Sequence, residues 1–75
     1  MTGLLQNTIR VERARKKITQ AQLAEAIHVS RQTIHAVEAG KFVPSISLAL
    51  KMARYFDIDF DELFQLEMEE ENINA

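Results

Sequence analysis

Residues 19–40 read TQAQLAEAIHVSRQTIHAVEAG, and this stretch predicts two short helices joined by a tight turn. The first helix begins at Thr19, because the threonine hydroxyl can accept a backbone N–H of the first turn and Gln22 completes a capping box. Apolar residues then recur at helical spacing and predict one buried face, which consists of Leu23, Ala26 and Ile27.

The second helix is predicted over residues 31–39, with Ser30 as its N-cap and Gly40 as a left-handed residue at its end. Its buried stripe is narrow and consists of Ile34 and Val37. The opposite face contains Arg31, Gln32, His35, Ala36 and Ala39. Arginine can bind guanine and glutamine can bind adenine through two hydrogen bonds, so this face suits the major groove of DNA. A solvated face on an ordinary surface helix is the alternative.

This pattern resembles the helix-turn-helix of the Xre family, the Cro- and repressor-like regulators of phages and bacteria. The similarity runs residue by residue from Gln20 to Lys41 and extends over roughly Thr8 to Leu66. The segment SRQTIHAVEAGKFVPS is close to one found in the short, single-domain members. Ala24 lies where the family needs a small residue between the two helices. The family's buried positions are occupied by Leu23, Ile27, Val29, Ile34 and Val37.

The resemblance implies an all-α fold, a compact bundle of five short helices that contains the helix-turn-helix. It also implies a sequence-specific transcriptional regulator, expected to be a repressor that binds a near-palindromic double-stranded DNA operator as a homodimer. The residues that match the base-reading surface are Ser30, Arg31, Gln32, Thr33, His35 and Ala36. The expected phosphate contacts are Gln20, Lys41 and Lys17, although Lys17 also fits a solvated face.

His28 departs from the family pattern, which usually has glycine in the turn. A positive φ is costly for most residues, but histidine is among those enriched at such angles. We therefore expect His28 to be a tolerated turn residue, and a pH sensor is the alternative.

Arg13 and Glu38 match a pair of family positions that form a structural ion pair between the first and third helices. A charge pair in so small a core must be well hydrogen-bonded, because it otherwise costs more free energy than it returns. The first helix is expected from Thr8 or Asn7 to Lys16. Its predicted inward residues are Val11, Ala14 and Ile18, with Ile9 near its start.

The net charge of −2 is unevenly distributed along the chain. Residues 1–54 contain all nine Lys and Arg and only three of the eleven acids, whereas residues 55–75 contain the other eight acids and no base. Phosphate binding depends on local charge, so the basic half favours nucleic-acid binding despite the overall sign.

The second half of the chain predicts two more helices. Ser45 is a cap signal for the fourth helix. Its buried face is expected to contain Leu48, Ala49, Met52, Ala53 and Phe56, and Asp57 should end it. Asp59 and Glu62 predict a capping box for a short fifth helix that reaches about Phe64. A dimer interface is expected at Phe60, Leu50 and Leu66.

The two ends of the chain can pair with each other. Phe64, Leu66 and Met68 alternate with polar residues, which predicts a short two-stranded ribbon with Leu4 and Leu5. A frayed acidic end is the alternative, and residues 67–75 are expected to be a flexible acidic tail. Residues 1–75 are expected to form a single domain, with a core at about 8–66.

The residue inventory favours binding over catalysis. We expect no enzyme, because no nucleophile–histidine set and no glycine-rich phosphate loop is present. No cofactor, metal or small-molecule effector is expected, since the chain has two histidines and no cysteine. No signal peptide or membrane span is predicted, so we expect a cytoplasmic protein. The resemblance to the Xre family implies that it is prokaryotic or phage-encoded and nucleoid-associated when bound. The competing interpretation is a protein-interaction module or an antitoxin-type protein whose main partner is another protein.

Overall fold

In the part of the chain that the structure describes, five helices follow one another, and one short strand precedes and one follows them. The computed structural model describes residues 4–67. The elements are β1 (Leu4–Asn7), α1 (Ile9–Lys16), α2 (Gln20–Ile27), α3 (Arg31–Glu38), α4 (Ile46–Phe56), α5 (Phe60–Leu63) and β2 (Phe64–Glu67). The predicted five-helix bundle with a terminal ribbon is confirmed. Within residues 4–67, no helix is long and apolar enough to cross a membrane.

The ribbon pairs the two ends of the described chain. β1 and β2 are antiparallel, with Leu5 opposite Leu66 and Asn7 opposite Phe64. Phe64 is buried and Leu5 packs against the core, so the ribbon is fastened to the bundle by side chains from both strands. Glu67 belongs to β2, so the expected flexible tail does not begin there. The rest of that predicted tail, residues 68–75, lies outside the described residues.

Side-chain caps fix the starts of three helices. The Thr19 hydroxyl accepts from the Gln22 N–H at 3.0 Å and the Gln22 side chain accepts from the Thr19 N–H at 2.8 Å, which confirms the capping box. Ser30 and Ser45 cap α3 and α4 in the predicted way. The predicted capping box at Asp59 is wrong, because its side chain makes no cap hydrogen bond. The backbone carbonyl of Asp59 accepts from the Glu62 N–H at 3.0 Å and closes that turn instead.

Each of the first four helices is followed by a residue in the left-handed conformation. The N–H groups of this residue and of the next one donate to backbone carbonyls in the last turn of the helix. Gly40 fills this position after α3 with a φ of 79°. Lys17, His28 and Asp57 fill it after α1, α2 and α4, with φ values of 58°, 64° and 59°. The next residue packs on the core in these three cases: Ile18, Val29 and Ile58. The prediction that His28 is a left-handed turn residue is confirmed.

The core lies where α2, α3 and α4 meet. α2 packs against α3, and Ala24 of α2 is buried, as expected for a position where two helices approach closely. All five predicted residues of α4 are buried, and Ile9 and Leu63 complete the core from α1 and α5. α4 therefore packs against the buried side of the helix-turn-helix, and the outer face of α3 is exposed to solvent at Arg31, Gln32 and His35.

α1 is rotated relative to the prediction. Val11 is 49% exposed and Ala14 is also exposed, so their predicted inward orientation is wrong. Ile9 and two charged residues face inward, and the Glu12 and Arg13 side chains are only 13% and 17% exposed. The physical reason is that Arg13 has an ion-pair partner on α3, which allows a charged stripe to replace an apolar one. Ala26 of α2 is likewise exposed, contrary to the prediction.

Candidate nucleic-acid interface

The outer face of α3 presents three long polar side chains to solvent. Arg31, Gln32 and His35 are exposed, whereas Ile34 and Val37 on the opposite side are fully buried. The hydroxyl of Ser30 accepts from the Thr33 N–H at 3.1 Å and lies 2.9 Å from the Thr33 hydroxyl. Of the six predicted base-reading residues, Ser30 and Thr33 thus bond each other at the helix start, and Ala36 is half-buried.

Glu38 is the centre of a hydrogen-bond network that joins α1, α2 and α3. Arg13 donates to both oxygens of its carboxylate, through Nε at 2.9 Å and Nη2 at 3.1 Å. The Gln20 amide donates to the same carboxylate, and the Arg13 Nη1 donates to the carbonyl of Ile18 at 3.0 Å. Because this network joins all three helices around the outer face of α3, it fixes the angle at which α3 is presented.

The network keeps Glu38 ionised. Burial raises the pKa of its carboxyl, but hydrogen bonds from Arg13 and Gln20, together with the charges of Arg13 and Arg10, lower it more. The pKa therefore lies below its ordinary value of 4.5. At neutral pH the half-buried guanidinium of Arg13 consequently faces a full negative charge, as a stable pair of this kind requires.

The position of Gln20 allows it to bond Glu38 and to contact a phosphate at the same time. It is the first residue of α2, and its side-chain nitrogen donates one hydrogen to Glu38. A glutamine amide has two N–H groups, so the second remains for another acceptor. The first backbone N–H groups of a helix also lack intrahelical partners and favour an anion. A phosphate contact at Gln20 therefore stays a prediction that fits this position.

The two predicted lysine contacts lie on the turns that follow α1 and α3. Lys17 and Lys41 are both exposed. The backbone of Lys41 is fixed, since its N–H donates to the carbonyl of Ala36 at 2.9 Å. Both ammonium groups can therefore reach an external anion, and their role as phosphate contacts stays a prediction.

Arg10 is a candidate that the sequence prediction missed. A crevice of about 80 Å³ is lined by Arg10, Gln20, His35, Glu38 and Ala39. Arg10 therefore adjoins the outer face of α3 as well as the start of α2. Its spacing of three residues from Arg13 on one helix is the signal that could have placed it on this side.

Two of the three predicted dimer residues lie close together. Leu50 and Phe60 are 48% and 44% exposed and line one open depression of about 670 Å³ between α4 and α5. The Phe60 ring lies 5.6 Å from that of Phe64, centroid to centroid. Leu66 is 56% exposed on β2 and does not line this depression. Leu50 and Phe60 thus form the candidate interface surface.

Comparison with known proteins places the chain in a family. A model of the helix-turn-helix family HTH_3 matches residues 9–63. An uncharacterized HTH-type transcriptional regulator of Methanocaldococcus jannaschii is 41% identical over 66 residues, which cover 88% of this chain and 100% of that protein. The uncharacterized HTH-type transcriptional regulator YgzD of Bacillus subtilis is 40% identical over 65 residues, which cover 87% of this chain and 98% of that protein.

Solved structures agree with this assignment. The crystal structure of a provisionally named DNA-binding protein from Bacteroides fragilis is 31% identical, with a TM-score of 0.72 over 81% of this chain and 98% of that chain. A hypothetical transcription factor from Neisseria, NHTF, is 26% identical, with a TM-score of 0.68 over 88% of this chain and 74% of that chain. The chain therefore belongs to the Xre/Cro-like helix-turn-helix family.

Proposed function

We propose that this protein is a transcriptional regulator that binds double-stranded DNA and reads base edges in the major groove with α3. The observation that supports this most strongly is the exposure of Arg31, Gln32 and His35 on a helix whose opposite side is fully buried. Arginine and glutamine in the first turn of such a helix have the geometry that base reading requires. The relatives in M. jannaschii and B. subtilis are themselves named as HTH-type transcriptional regulators.

Different residues are proposed to contact the bases and the phosphate backbone of DNA. Arg31, Gln32 and His35 read bases, with Ser30, Thr33 and Ala36 at the margin of the same surface. Gln20, Lys41 and Lys17 contact phosphates on either side. Phosphate contacts fix the register of the protein on the duplex, whereas base contacts supply sequence preference.

We also propose that the protein acts as a homodimer on a near-palindromic operator. Leu50 and Phe60 present a paired apolar surface to solvent, and such a surface supports self-association. Two-fold symmetry would place two copies of α3 about 34 Å apart, one turn of DNA.

The expected mode of regulation is repression. A dimer that occupies both major-groove half-sites of an operator excludes other proteins from the same DNA. The depression at Leu50 and Phe60 is open to solvent, which suits a protein surface better than a small effector. We therefore propose a repressor that acts in the cytoplasm, on the nucleoid, and responds to its own concentration or to a competing protein.

The test is selection of bound duplexes from a random library, followed by sedimentation of the complex with the selected duplex. The proposal predicts enrichment of one motif with inverted half-sites and two protomers for each site. Recovery of unrelated sequences would contradict base reading, and one protomer for each site would contradict the dimer.

A further inference from the structure

We propose that Arg10 extends the DNA-binding surface onto α1 by contacting a backbone phosphate of the duplex. This inference rests on the proposed function, since it adds a contact to the same interface. It does not follow from the helix-turn-helix segment alone, because Arg10 precedes that segment in the chain.

The position of Arg10 is the first argument. Its side chain lines a small crevice together with Gln20 at the start of α2, His35 on the outer face of α3 and Ala39 directly after α3. Three helices therefore meet at this crevice, and two of its walls belong to the surface proposed to face DNA. An anion held there would lie beside the duplex.

The contrast with Arg13 is the second argument. Arg13 is half-buried, and its guanidinium donates to Glu38 through two nitrogens and to the Ile18 carbonyl through the third. Arg10 is exposed and affects Glu38 through its charge, which helps to lower the pKa of that carboxyl. Arg13 thus serves the fold, whereas Arg10 has its donors available for an external anion.

The charge balance of the crevice is the third argument. Arg13 pairs with the Glu38 carboxylate through two hydrogen bonds, and Arg10 is a second cation beside the same carboxylate, so Arg10, Arg13 and Glu38 together carry a net charge of +1. The second amide N–H of Gln20 adds a neutral donor at the same place. A group with one negative charge and two acceptor oxygens matches this set, and each DNA phosphate is such a group.

The experiment measures the salt dependence of binding to a 20-base-pair duplex of mixed sequence. Each phosphate contact made by a cation adds about 0.9 to the slope of log affinity against log salt. Arg10→Ala should lower this slope by about 0.9 for each bound protomer, and Arg10→Lys should keep it because the charge remains. The ratio of parent to Arg10→Ala affinity should then shrink about 3.5-fold for each protomer between 50 and 200 mM salt.

Arg15→Ala is the matched control. Arg15 is an exposed arginine of the same helix, about 140° around the axis from Arg10, and its side chain is 71% exposed. Its removal should leave the slope near that of the parent. Melting temperatures of both alanine variants should stay within about 4 °C of the parent, because neither arginine is part of the core and the charge of the exposed Arg10 makes only a minor contribution at Glu38.

The outcomes separate this inference from the proposed function. If Lys41→Ala lowers the slope and Arg10→Ala does not, the protein binds DNA but Arg10 is not a contact. If Arg10→Ala and Arg15→Ala lower the salt slope equally, the effect is explained by the overall charge of the protein, and the inference is overturned. A lower melting temperature for both Arg10→Ala and Arg10→Lys would assign Arg10 to the fold. Absence of binding to any duplex by the parent would contradict both proposals.

Discussion

Replacing Glu38 by alanine should strongly destabilise the protein, because its side chain is only 9% exposed and accepts hydrogen bonds from two helices. The substitution removes two hydrogen bonds from Arg13 and one from Gln20. It leaves a guanidinium that is only 17% exposed, with one remaining bond to the Ile18 carbonyl. Breaking a fully buried pair costs about 3–5 kcal/mol. Because Arg13 keeps some contact with water, we expect about 2–4 kcal/mol here, or a melting temperature lower by roughly 10–25 °C.

Thermal and urea unfolding followed by circular dichroism will test this value. Arg15→Ala is the control, since the Arg15–Glu12 pair is long, at 3.9 Å, and exposed on the arginine side, so its loss should cost less than about 0.5 kcal/mol. The Arg13→Ala and Glu38→Ala double variant should be more stable than the sum of the two single effects implies, because each single change leaves a partner unpaired. A Glu38→Ala protein that melts within about 2 °C of the parent would refute this reasoning.

The same pair should make stability depend on pH. The pKa of Glu38 is lower in the folded protein than its ordinary value of 4.5, so folding favours the ionised form. Its contribution is fully present above the unfolded pKa and is lost as the pH falls through the folded pKa. The difference in stability between the parent and Glu38→Gln should therefore be constant from pH 7 to about 5 and shrink at lower pH. A difference that grows in acid would contradict this sign.

Two further substitutions test the turn and the candidate interface. His28→Gly should stabilise the protein by about 0.5–1 kcal/mol, because glycine adopts the φ of 64° without steric cost, while Ala26→Gly inside α2 should destabilise it by a similar amount. A less stable His28→Gly protein would show that the imidazole makes a stabilising contact. Phe60→Glu should shift the sedimentation equilibrium toward monomer without unfolding the protein, whereas Val11→Glu, at a similar exposure on α1, should not. Equal association of both variants would place the interface elsewhere.

The helix-turn-helix could be predicted from the sequence because each of its signals is local. Thr19, Ser30 and Gly40 mark helix ends through hydrogen bonds to residues only a few positions away. The start of α2 and both ends of α3 differ from the prediction by at most one residue. The five buried residues of α4 follow from periodicity alone. These elements depend on hydrogen bonds and spacing that are visible within one helix.

The orientation of α1 could not be predicted from periodicity, because its inward face is polar. Glu12 and Arg13 occupy positions that an apolar pattern assigns to solvent, and Arg13 is accommodated by Glu38, 25 residues later. The predicted capping box at Asp59 is also wrong. Its turn is closed by a backbone hydrogen bond from the Glu62 N–H to the Asp59 carbonyl, and the residue types alone do not distinguish this bond from a side-chain cap.

Arg10 shows the same limit at the candidate site. Its proposed role depends on a crevice formed by three helices. Sequence spacing places Arg10 on the same side of α1 as Arg13, but it does not predict that α2 and α3 pack there to form the crevice. The residue types at the site could be read from the chain, whereas the Gln20–Glu38 bond and the crevice required the packing of α1 against α2 and α3.

In the proposed function, α3 reads bases, whereas Lys41 contacts only the phosphate backbone of DNA. The measurement is the affinity of Arg31→Ala and Lys41→Ala for the selected operator and for a scrambled duplex across a salt series. Arg31→Ala should lose about 1–3 kcal/mol of binding free energy on the operator and relax the preference at one or two base pairs. Lys41→Ala should weaken both duplexes alike and reduce the salt slope by about one unit. Equal losses for Arg31→Ala on both duplexes, with base preference intact, would contradict the placement of α3 in the groove.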